Sequence, residues 1–298
     1  PDDPDKDKLY DRFIELFYQK AMVNEPIERH SIPYDQTHLP AFRVPSGQGR
    51  SKGTVVIHGG FDSFIEEFYS FATYFAHAGY DVILFEGPGQ GGALKKSHLP
   101  LTHEWEKPVN AVLDYFNLDD VTLLGISMGG WLCFRAAAFE PRIKWVIASG
   151  VAFDYLQILP GTAQKFFSYL LRFRGITELM ADFKMKVSDH ERWGINDLKY
   201  ITRTSSAFEV IEAHLQFNEE NLHSDRVCQD VLILTGAEDH FIPLRMHDLQ
   251  VRALKNVRSV TPRIFTKEEQ GQNHCQIGNI GLALETMLEW IEEKSRGC

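Results

Sequence analysis

The stretch Gly125-Ile126-Ser127-Met128-Gly129 lies between an apolar run at residues 121–124 and a helix-forming stretch at residues 129–139. A strand, a sharp turn and a helix in this order form the setting in which a Gly-x-Ser-x-Gly pattern presents its serine as a nucleophile. Such a turn predicts strained backbone at Ser127, with glycine at both flanks because a β-carbon there would collide with neighbouring backbone. The alternative interpretation is a glycine-rich turn that holds a buried, inert serine.

Short apolar runs alternate with helical patterns on both sides of this turn. The runs at residues 54–57, 82–85, 121–124 and 145–148 are unbroken, which is typical of parallel strands covered by helices on both faces. The predicted strands are residues 28–34, 38–44, 54–57, 82–85, 121–124, 145–148, 231–234 and 260–265, and the predicted helices are residues 9–22, 65–78, 104–116, 129–139, 243–254 and 280–292. The fold class is therefore α/β, with a mostly parallel central sheet and helices on both faces.

The alternation stops between residues 152 and 226. This stretch is rich in aromatic and helix-forming residues and contains no strand–turn–helix unit. With 75 residues it is short for a self-sufficient core, so a second independent domain is the weaker interpretation. We predict a helical cap at residues 152–226, inserted before the last strands over the ligand-binding edge of the sheet, with residues 1–151 and 227–298 forming the core.

Two polar loops can complete the chemistry of Ser127, because a serine hydroxyl is a weak nucleophile without a base. Asp239 follows the strand at residues 231–234 and is the predicted acid, with Glu238 as the alternative; a helix-capping role for Asp239 is the competing interpretation. His274 lies between the last strand and the last helix, and it is selected from 12 histidines by position. The order Ser, Asp, His is the one expected for such a triad in this kind of fold.

Acyl-type chemistry also needs donors for an oxyanion. The backbone N–H of Met128 is one candidate, and the other is Gly60 or Phe61 in the loop after the strand at residues 54–57. His58, which opens that loop, is expected to fix the loop rather than to transfer protons. Residues 87–92, Gly-Pro-Gly-Gln-Gly-Gly, are interpreted as a tight loop beside the site with no helix directly behind it, since the glycine spacing does not fit a dinucleotide loop.

Composition narrows the classes of partner. The 298 residues are 44% hydrophobic and 24% charged, with a net charge of −10, and the sequence pI is near 5.6. An acidic chain without a basic stripe predicts neither nucleic-acid nor membrane binding, so the expected partner is a small-molecule substrate. A homodimer is kept as a hypothesis.

Cysteine and histidine spacing predicts neither metal nor cofactor. The four cysteines (Cys133, Cys228, Cys275 and Cys298) lack the pairing of a disulfide framework or a zinc site and are expected to be free thiols. The dispersed histidines show no metal-binding spacing. Neither a signal-peptide pattern nor an apolar run of about 18 residues is present, from which a cytoplasmic location is expected.

These motifs also carry a family resemblance. Residues 59–63 (Gly-Gly-Phe-Asp-Ser), residues 85–91 (Phe-Glu-Gly-Pro-Gly-Gln-Gly) and the Ser-Met-Gly-Gly elbow resemble the α/β-hydrolase superfamily. They are closest in pattern to the subgroup that contains the bacterial 2,6-dihydroxypseudooxynicotine hydrolase and fungal pigment-pathway polyketide-shortening hydrolases. The resemblance implies cleavage of a carbon–carbon bond next to a ketone by the same triad. It also implies an acidic helper residue from the cap, for which Asp154 is the candidate here.

The cap suggests the kind of substrate. Phe153, Tyr155 and Trp193 are predicted to contact a hydrophobic or aromatic small molecule, although some of these rings are expected only to pack the cap onto the sheet. The expected mechanism is acyl transfer through an acyl-enzyme on Ser127. Two alternatives stay open: a carboxylesterase or thioesterase with the same triad, and a catalytically silent fold used as a ligand receptor.

Overall fold

A computed structural model describes residues 3–47 and 49–297 of the chain. Its centre is one eight-stranded sheet. The strands are β1 (Glu28–Tyr34), β2 (Thr37–Val44), β3 (Thr54–His58), β4 (Asp81–Phe85), β5 (Val121–Ile126), β6 (Ile143–Ser149), β7 (Asp230–Gly236) and β8 (Ser259–Phe265). All eight predicted strands are present, and the α/β fold class with a mostly parallel central sheet is confirmed.

The strand order β1-β2-β4-β3-β5-β6-β7-β8 decides which loops can meet. Strand β2 is antiparallel to β1 and β4, and the other neighbouring pairs are parallel. The carboxyl ends of β3 to β8 therefore lie along one edge of the sheet. Strand β5 is at the centre of this edge, between β3 and β6, and β7 follows β6.

Twelve α-helices are described around this sheet. They are α1 (Lys6–Leu16), α2 (Tyr69–His77), α3 (Gly91–Lys95), α4 (Glu106–Phe116), α5 (Gly129–Ala137), α6 (Gly161–Leu170), α7 (Arg174–Val187), α8 (Asp189–Thr202), α9 (Ala207–His214), α10 (Glu219–Leu222), α11 (Arg245–Ala253) and α12 (Ile280–Arg296). Shorter turns of 3₁₀ helix precede α2 and α12, at Ile65–Phe68 and His274–Asn279.

Two predicted helix positions need correction. The first helix begins at Lys6 rather than at residue 9, and after Leu16 it widens into a π-helical segment at Phe17–Ala21. Helix α3 begins directly behind the glycine-rich loop, where the sequence analysis expected none. Two glycines at its start lower its helix propensity, but Ala93 and Leu94 are completely buried, so tertiary packing stabilises it.

Hydrophobic cores lie on both faces of the sheet, which explains the unbroken apolar runs. Successive side chains of a strand point to opposite faces, and in β5 the side chain of Leu123 belongs to one core and that of Leu124 to the other. Trp105 and Trp131 are fully buried in the core that contains Leu123. Both faces of the sheet are therefore apolar, and the polar residues of the candidate site lie beyond the strand ends.

The helices α6 to α10 lie between β6 and β7, within residues 152–226, and we keep these numbers as the bounds of the cap. No helix in the described part of the chain is long and apolar enough to cross a bilayer. The three described cysteines, Cys133, Cys228 and Cys275, are free thiols, and Cys298 lies outside the described residues.

Candidate active site

Ser127 lies in the sharp turn between β5 and α5. Its φ of 62° is in the left-handed region, which is strained for a residue with a β-carbon. The turn closes only because both flanks are glycine: a β-carbon at Gly125 would lie 1.9 Å from the carbonyl oxygen of Gly129. The predicted reason for the two glycines is therefore seen in the structure, and the serine hydroxyl is presented at the carboxyl edge of the sheet.

A continuous hydrogen-bonded chain joins the three predicted catalytic side chains. Ser127 Oγ is 2.8 Å from His274 Nε2, and His274 Nδ1 is 2.7 Å from Asp239 Oδ2. The other carboxylate oxygen of Asp239 accepts hydrogen bonds from the backbone N–H groups of Phe241 and Ile242, at 2.8 and 3.0 Å. Asp239, rather than the alternative Glu238, thus orients the imidazole, and its own loop holds it in place.

The electrostatics of this pair favour an ion pair. Burial acts to raise the pKa of Asp239, but hydrogen bonds from His274 and from the backbone outweigh it and lower the pKa below its usual value. Burial acts to lower the pKa of His274, but the hydrogen bonds and charges of Asp239 and Cys275 together outweigh it and raise the pKa of the imidazole. A carboxylate in this position favours the protonated form of His274.

The loop after β3 approaches the amide that follows the nucleophile. A β-carbon at Gly60 would lie 2.7 Å from the backbone nitrogen of Met128. Among the described residues, the backbone N–H groups of Gly60, Phe61 and Met128 donate no hydrogen bond to another protein atom. All three predicted donors are thus close together and free, and the choice between Gly60 and Phe61 stays open.

Two buried side chains hold this loop. Gln90 Nε2 donates to the carbonyl oxygens of Gly59 and Gly60, both at 2.8 Å, while Gln90 Oε1 accepts from the backbone N–H of Gly87 at 3.0 Å. His58 Nδ1 donates to the Gly59 carbonyl at 3.0 Å, and burial lowers the pKa of His58 to about 4. His58 is therefore neutral and has a positioning role, in line with its interpretation from the sequence.

An apolar cavity of about 400 Å³ opens above Ser127 on the side of the cap. Both core and cap contribute to its wall, and most of the lining is apolar. The lining residues are Phe61, Ser127, Met128, Tyr155, Ile158, Leu198, His214, Phe241, Ile242 and His274. Of the predicted substrate contacts in the cap, Tyr155 is the one found in this wall.

A second cavity of about 390 Å³ also reaches Ser127. It shares Phe61, Ser127 and His274 with the first cavity, but its wall also contains polar side chains such as Asp62 and Ser63. Ser127 thus lines two cavities of different polarity.

The structure does not bring the other three predicted contacts to the cap-side cavity. Phe153 is only 2% exposed and packs in the same core as Trp131. Trp193 is on α8 with 60% of its surface exposed to solvent. Both side chains are aromatic, as expected of a contact to an apolar substrate, but Phe153 packs in the core and Trp193 is exposed to solvent.

Asp154 is also corrected from a helper residue to a structural one. Its Oδ1 accepts from the backbone N–H groups of Leu156 and Gln157, at 2.9 and 3.1 Å. Its Oδ2 accepts from the backbone N–H of Glu219 at 3.3 Å, at the start of α10. With 8% of its surface exposed, the carboxylate closes a turn at the base of the cap and does not line the cavity above Ser127.

Gln90, His214 and Phe241 also belong to the site and were not predicted from the sequence. Phe241 lies two residues after Asp239 in the same loop, and its ring centre is 5.0 Å from that of His274. His214, the last residue of α9, is stacked on Phe61 with ring centres 5.5 Å apart. Gln90 belongs to the Gly-Pro-Gly-Gln-Gly block quoted above, and this block was the one sequence signal that could have pointed to it. Nothing in the cap sequence distinguishes His214 from its neighbours.

The sequence matches the family described as alpha/beta hydrolase fold over residues 54–275. The chain belongs to the α/β-hydrolase fold family. The matched region contains the whole hydrogen-bonded chain from Ser127 through His274 to Asp239. With the hydrolases among its relatives, the family match makes this protein an enzyme, a hydrolase.

Several fungal hydrolases are similar to this α/β-hydrolase. "Hydrolase acrC" of Aspergillus aculeatus is 26% identical over 339 residues, which cover 99% of this chain and 76% of that protein. "20-hydroxy-prefusarin hydrolase FUS2" of Gibberella moniliformis is 28% identical, covering 91% of this chain and 70% of that protein. "Alpha/beta hydrolase psoB" of Aspergillus fumigatus is 27% identical, but this chain spans only 63% of its length.

Two solved structures are similar to this chain at the level of the fold. The crystal structure of 2,6-dihydroxy-pseudo-oxynicotine hydrolase superimposes with a TM-score of 0.68 at 23% identity, covering 94% of this chain and 72% of that one. The structure named AbyA5 superimposes with a TM-score of 0.70 at 17% identity, covering 99% and 79%. These two structures show a shared fold, and the resemblance to such hydrolases that the sequence predicted is found again among the relatives.

Proposed function

We propose that this protein is a serine hydrolase that cleaves a carbonyl compound through an acyl-enzyme on Ser127. The observation that carries the proposal is the unbroken chain of hydrogen bonds from Ser127 Oγ through His274 to Asp239, at 2.8 and 2.7 Å. It ends in the wall of a cavity large enough for a small molecule. A strained nucleophile, a base in contact with it and an acid that orients the base are the parts that such catalysis requires.

The proposed reaction has two halves. His274 takes the proton of Ser127 as Oγ attacks the carbonyl carbon, and the resulting oxyanion accepts hydrogen bonds from the Met128 amide and from the amide of Gly60 or Phe61. The leaving group departs with a proton returned by His274. A water molecule activated by the same imidazole then hydrolyses the acyl-enzyme and frees the acid product.

The proposed substrate is a hydrophobic or aromatic small molecule in which the broken bond is a carbon–carbon bond next to a ketone. The apolar wall of the cap-side cavity supports a substrate of this polarity. Relatives named for 20-hydroxy-prefusarin and 2,6-dihydroxy-pseudo-oxynicotine support the assignment to this subgroup of hydrolases.

The first test is covalent labelling. Intact protein is treated with a fluorophosphonate, and its mass is measured for wild type and for Ser127→Ala. We expect a single adduct on wild type that is absent from the variant, because only an activated serine reacts at a useful rate. A folded wild-type protein that acquires no adduct would contradict the proposal and would favour the ligand-receptor alternative.

The second test identifies the bond. Turnover of a panel of 1-aryl-1,3-diketones is compared with turnover of aryl esters and thioesters that deliver the same acyl group. Hydrolysis of the diketones, abolished in Ser127→Ala, is the expected result. Turnover of the esters or thioesters alone would instead identify a carboxylesterase or thioesterase.

A further inference from the structure

The wall of the cap-side cavity contains two titratable side chains besides His274: Tyr155, and His214 at the carboxyl end of α9. The His214 ring is stacked on Phe61, at an interplanar angle of 12°, and meets Tyr155 edge to face with ring centres 4.3 Å apart. Two aromatic neighbours thus fix the plane of the imidazole in the wall of the cap-side cavity.

Neither nitrogen of this ring forms a hydrogen bond with another described residue. Nδ1 of His214 is buried, whereas Nε2 keeps accessible surface and is the nitrogen that a molecule in the cap-side cavity can reach. Since no protein group fixes the tautomer, either ring nitrogen can carry the proton, and a bound molecule can select the form that suits it.

Burial also sets the charge of His214. Desolvation lowers its pKa to about 4, so the imidazole is neutral at neutral pH. A neutral imidazole donates one N–H hydrogen bond and can polarise a carbonyl without adding a charge to an apolar chamber. His274, in contrast, is coupled to a carboxylate and its pKa is raised. The two histidines of the cavity therefore differ in basicity: His274 accepts a proton readily, whereas His214 stays neutral.

We propose that His214 is a catalytic residue that donates a hydrogen bond to the ketone oxygen of the leaving group and stabilises the enolate formed when the carbon–carbon bond breaks. The proposal rests on the proposed function of Ser127 and deepens it. It identifies the substrate class as 1,3-dicarbonyl compounds, with the second carbonyl directed toward the cap.

The step balances without any further reactant. Ser127 Oγ bonds to the first carbonyl carbon while its proton moves to His274, and the carbonyl electrons move to the oxyanion. When the tetrahedral intermediate collapses, the bond to the α-carbon breaks and its electron pair passes to the second carbonyl, whose oxygen becomes the enolate oxygen beside His214. The proton on His274 then moves to the α-carbon, which gives the free ketone, and water hydrolyses the acyl-enzyme.

An ester does not need this residue. Its leaving group carries the negative charge on the oxygen that was bonded to the acyl carbon, and this oxygen takes its proton directly from His274. Removal of His214 should therefore separate the two activities of one nucleophile, which a purely structural role would not do.

The experiment uses 1,3-diphenyl-1,3-propanedione and phenyl benzoate, which both deliver a benzoyl group to Ser127. His214→Phe keeps a ring against Phe61 but removes both nitrogens, and His214→Gln restores an N–H donor. His190→Phe, on the exposed surface of α8, is the matched control. We expect kcat for the diketone to fall about 100-fold or more in His214→Phe, the usual cost of one lost oxyanion donor, with the ester changed less than about threefold.

Partial recovery of diketone turnover in His214→Gln and no effect of His190→Phe would complete the support. An equal loss on both substrates would overturn the inference, because it would show a packing role. Unchanged diketone turnover in a folded His214→Phe, or ester turnover by wild type with no diketone turnover, would overturn it as well. Failure of the proposed function itself appears separately, as the absence of a fluorophosphonate adduct on Ser127 in the same preparations.

Discussion

Replacement of Gln90 tests whether the loop that carries the candidate oxyanion donor must be fixed by the hydrogen bonds from this side chain. Gln90→Met keeps the length of the side chain but removes its three hydrogen bonds to the backbone of Gly59, Gly60 and Gly87. Gly59 keeps a second donor in His58 Nδ1, so the buried Gly60 carbonyl and Gly87 amide lose the only partner they have among the described residues. At about 1–3 kcal/mol for each such group, the free energy of unfolding should fall by roughly 3 kcal/mol.

The same change should slow acylation more than it weakens substrate binding. An amide displaced by about 1 Å from the position of the oxyanion costs about 100-fold in rate, because the donor acts only in correct geometry. The assay is the pre-steady-state burst of p-nitrophenolate from an activated ester, together with the rate of fluorophosphonate labelling. Both rates should fall about 100-fold with the ester's KM nearly unchanged.

Gln229 offers a matched control at the opposite end of the sheet. It is 5% exposed, donates to the carbonyl of Ala137 at 2.9 Å and accepts from the amide of Cys228 at 2.9 Å. Gln229→Met should cost similar stability and leave acylation unchanged. The reasoning is refuted if Gln90→Met is destabilised but acylates at the wild-type rate, or if Gln229→Met slows acylation to the same extent.

Three further predictions concern the acid, a buried carboxyl and the elbow. Asp239→Asn should lower kcat about 10⁴-fold, and the alkaline rise in kcat/KM should move to lower pH, because the carboxylate that raises the pKa of His274 is gone; an unmoved profile would contradict this. Burial, and repulsion by a second carboxylate, raise the pKa of Glu86 to about 8, so the folded state holds a proton that the unfolded state releases near pH 4.5. This contribution to stability is present below pH 4.5 and is lost as the pH rises to about 8, and urea denaturation should show Glu86→Gln gaining stability relative to wild type over that interval. Gly125→Ala should cost about 3 kcal/mol or more, whereas Gly161→Ala, with no atom within 4 Å of the new β-carbon, should be nearly neutral in the same thermal melt.

The triad could be predicted from the sequence because its members are placed by the sheet. Ser127 follows β5, Asp239 follows β7 and His274 follows β8, and the carboxyl ends of parallel strands share one edge. Apolar runs and glycine signals locate these strand ends to within a residue or two. The contact of Ser127 with His274, 147 positions apart, follows from topology rather than from any local pattern.

The cap contacts could not be predicted in this way. Phe153, Tyr155 and Trp193 have similar side chains, and only their packing separates a core residue, a cavity residue and an exposed one. An aromatic-rich segment indicates that some of its side chains are buried, but composition alone does not show which of them face the cavity. His214 has no distinguishing neighbours in sequence, because its role depends on Phe61 and Tyr155 from other elements.

The Phe61 ring is where the core and the cap of this enzyme meet. Its backbone belongs to the loop of candidate oxyanion donors, which Gln90 holds through Gly59 and Gly60. Its side chain is stacked on His214 of the cap and lines both cavities that reach Ser127. A molecule that fills the cap-side cavity therefore contacts the residue whose backbone is a candidate donor to the oxyanion. In the reaction proposed above, substrate selection by the cap and oxyanion binding by the core would be linked through this one residue.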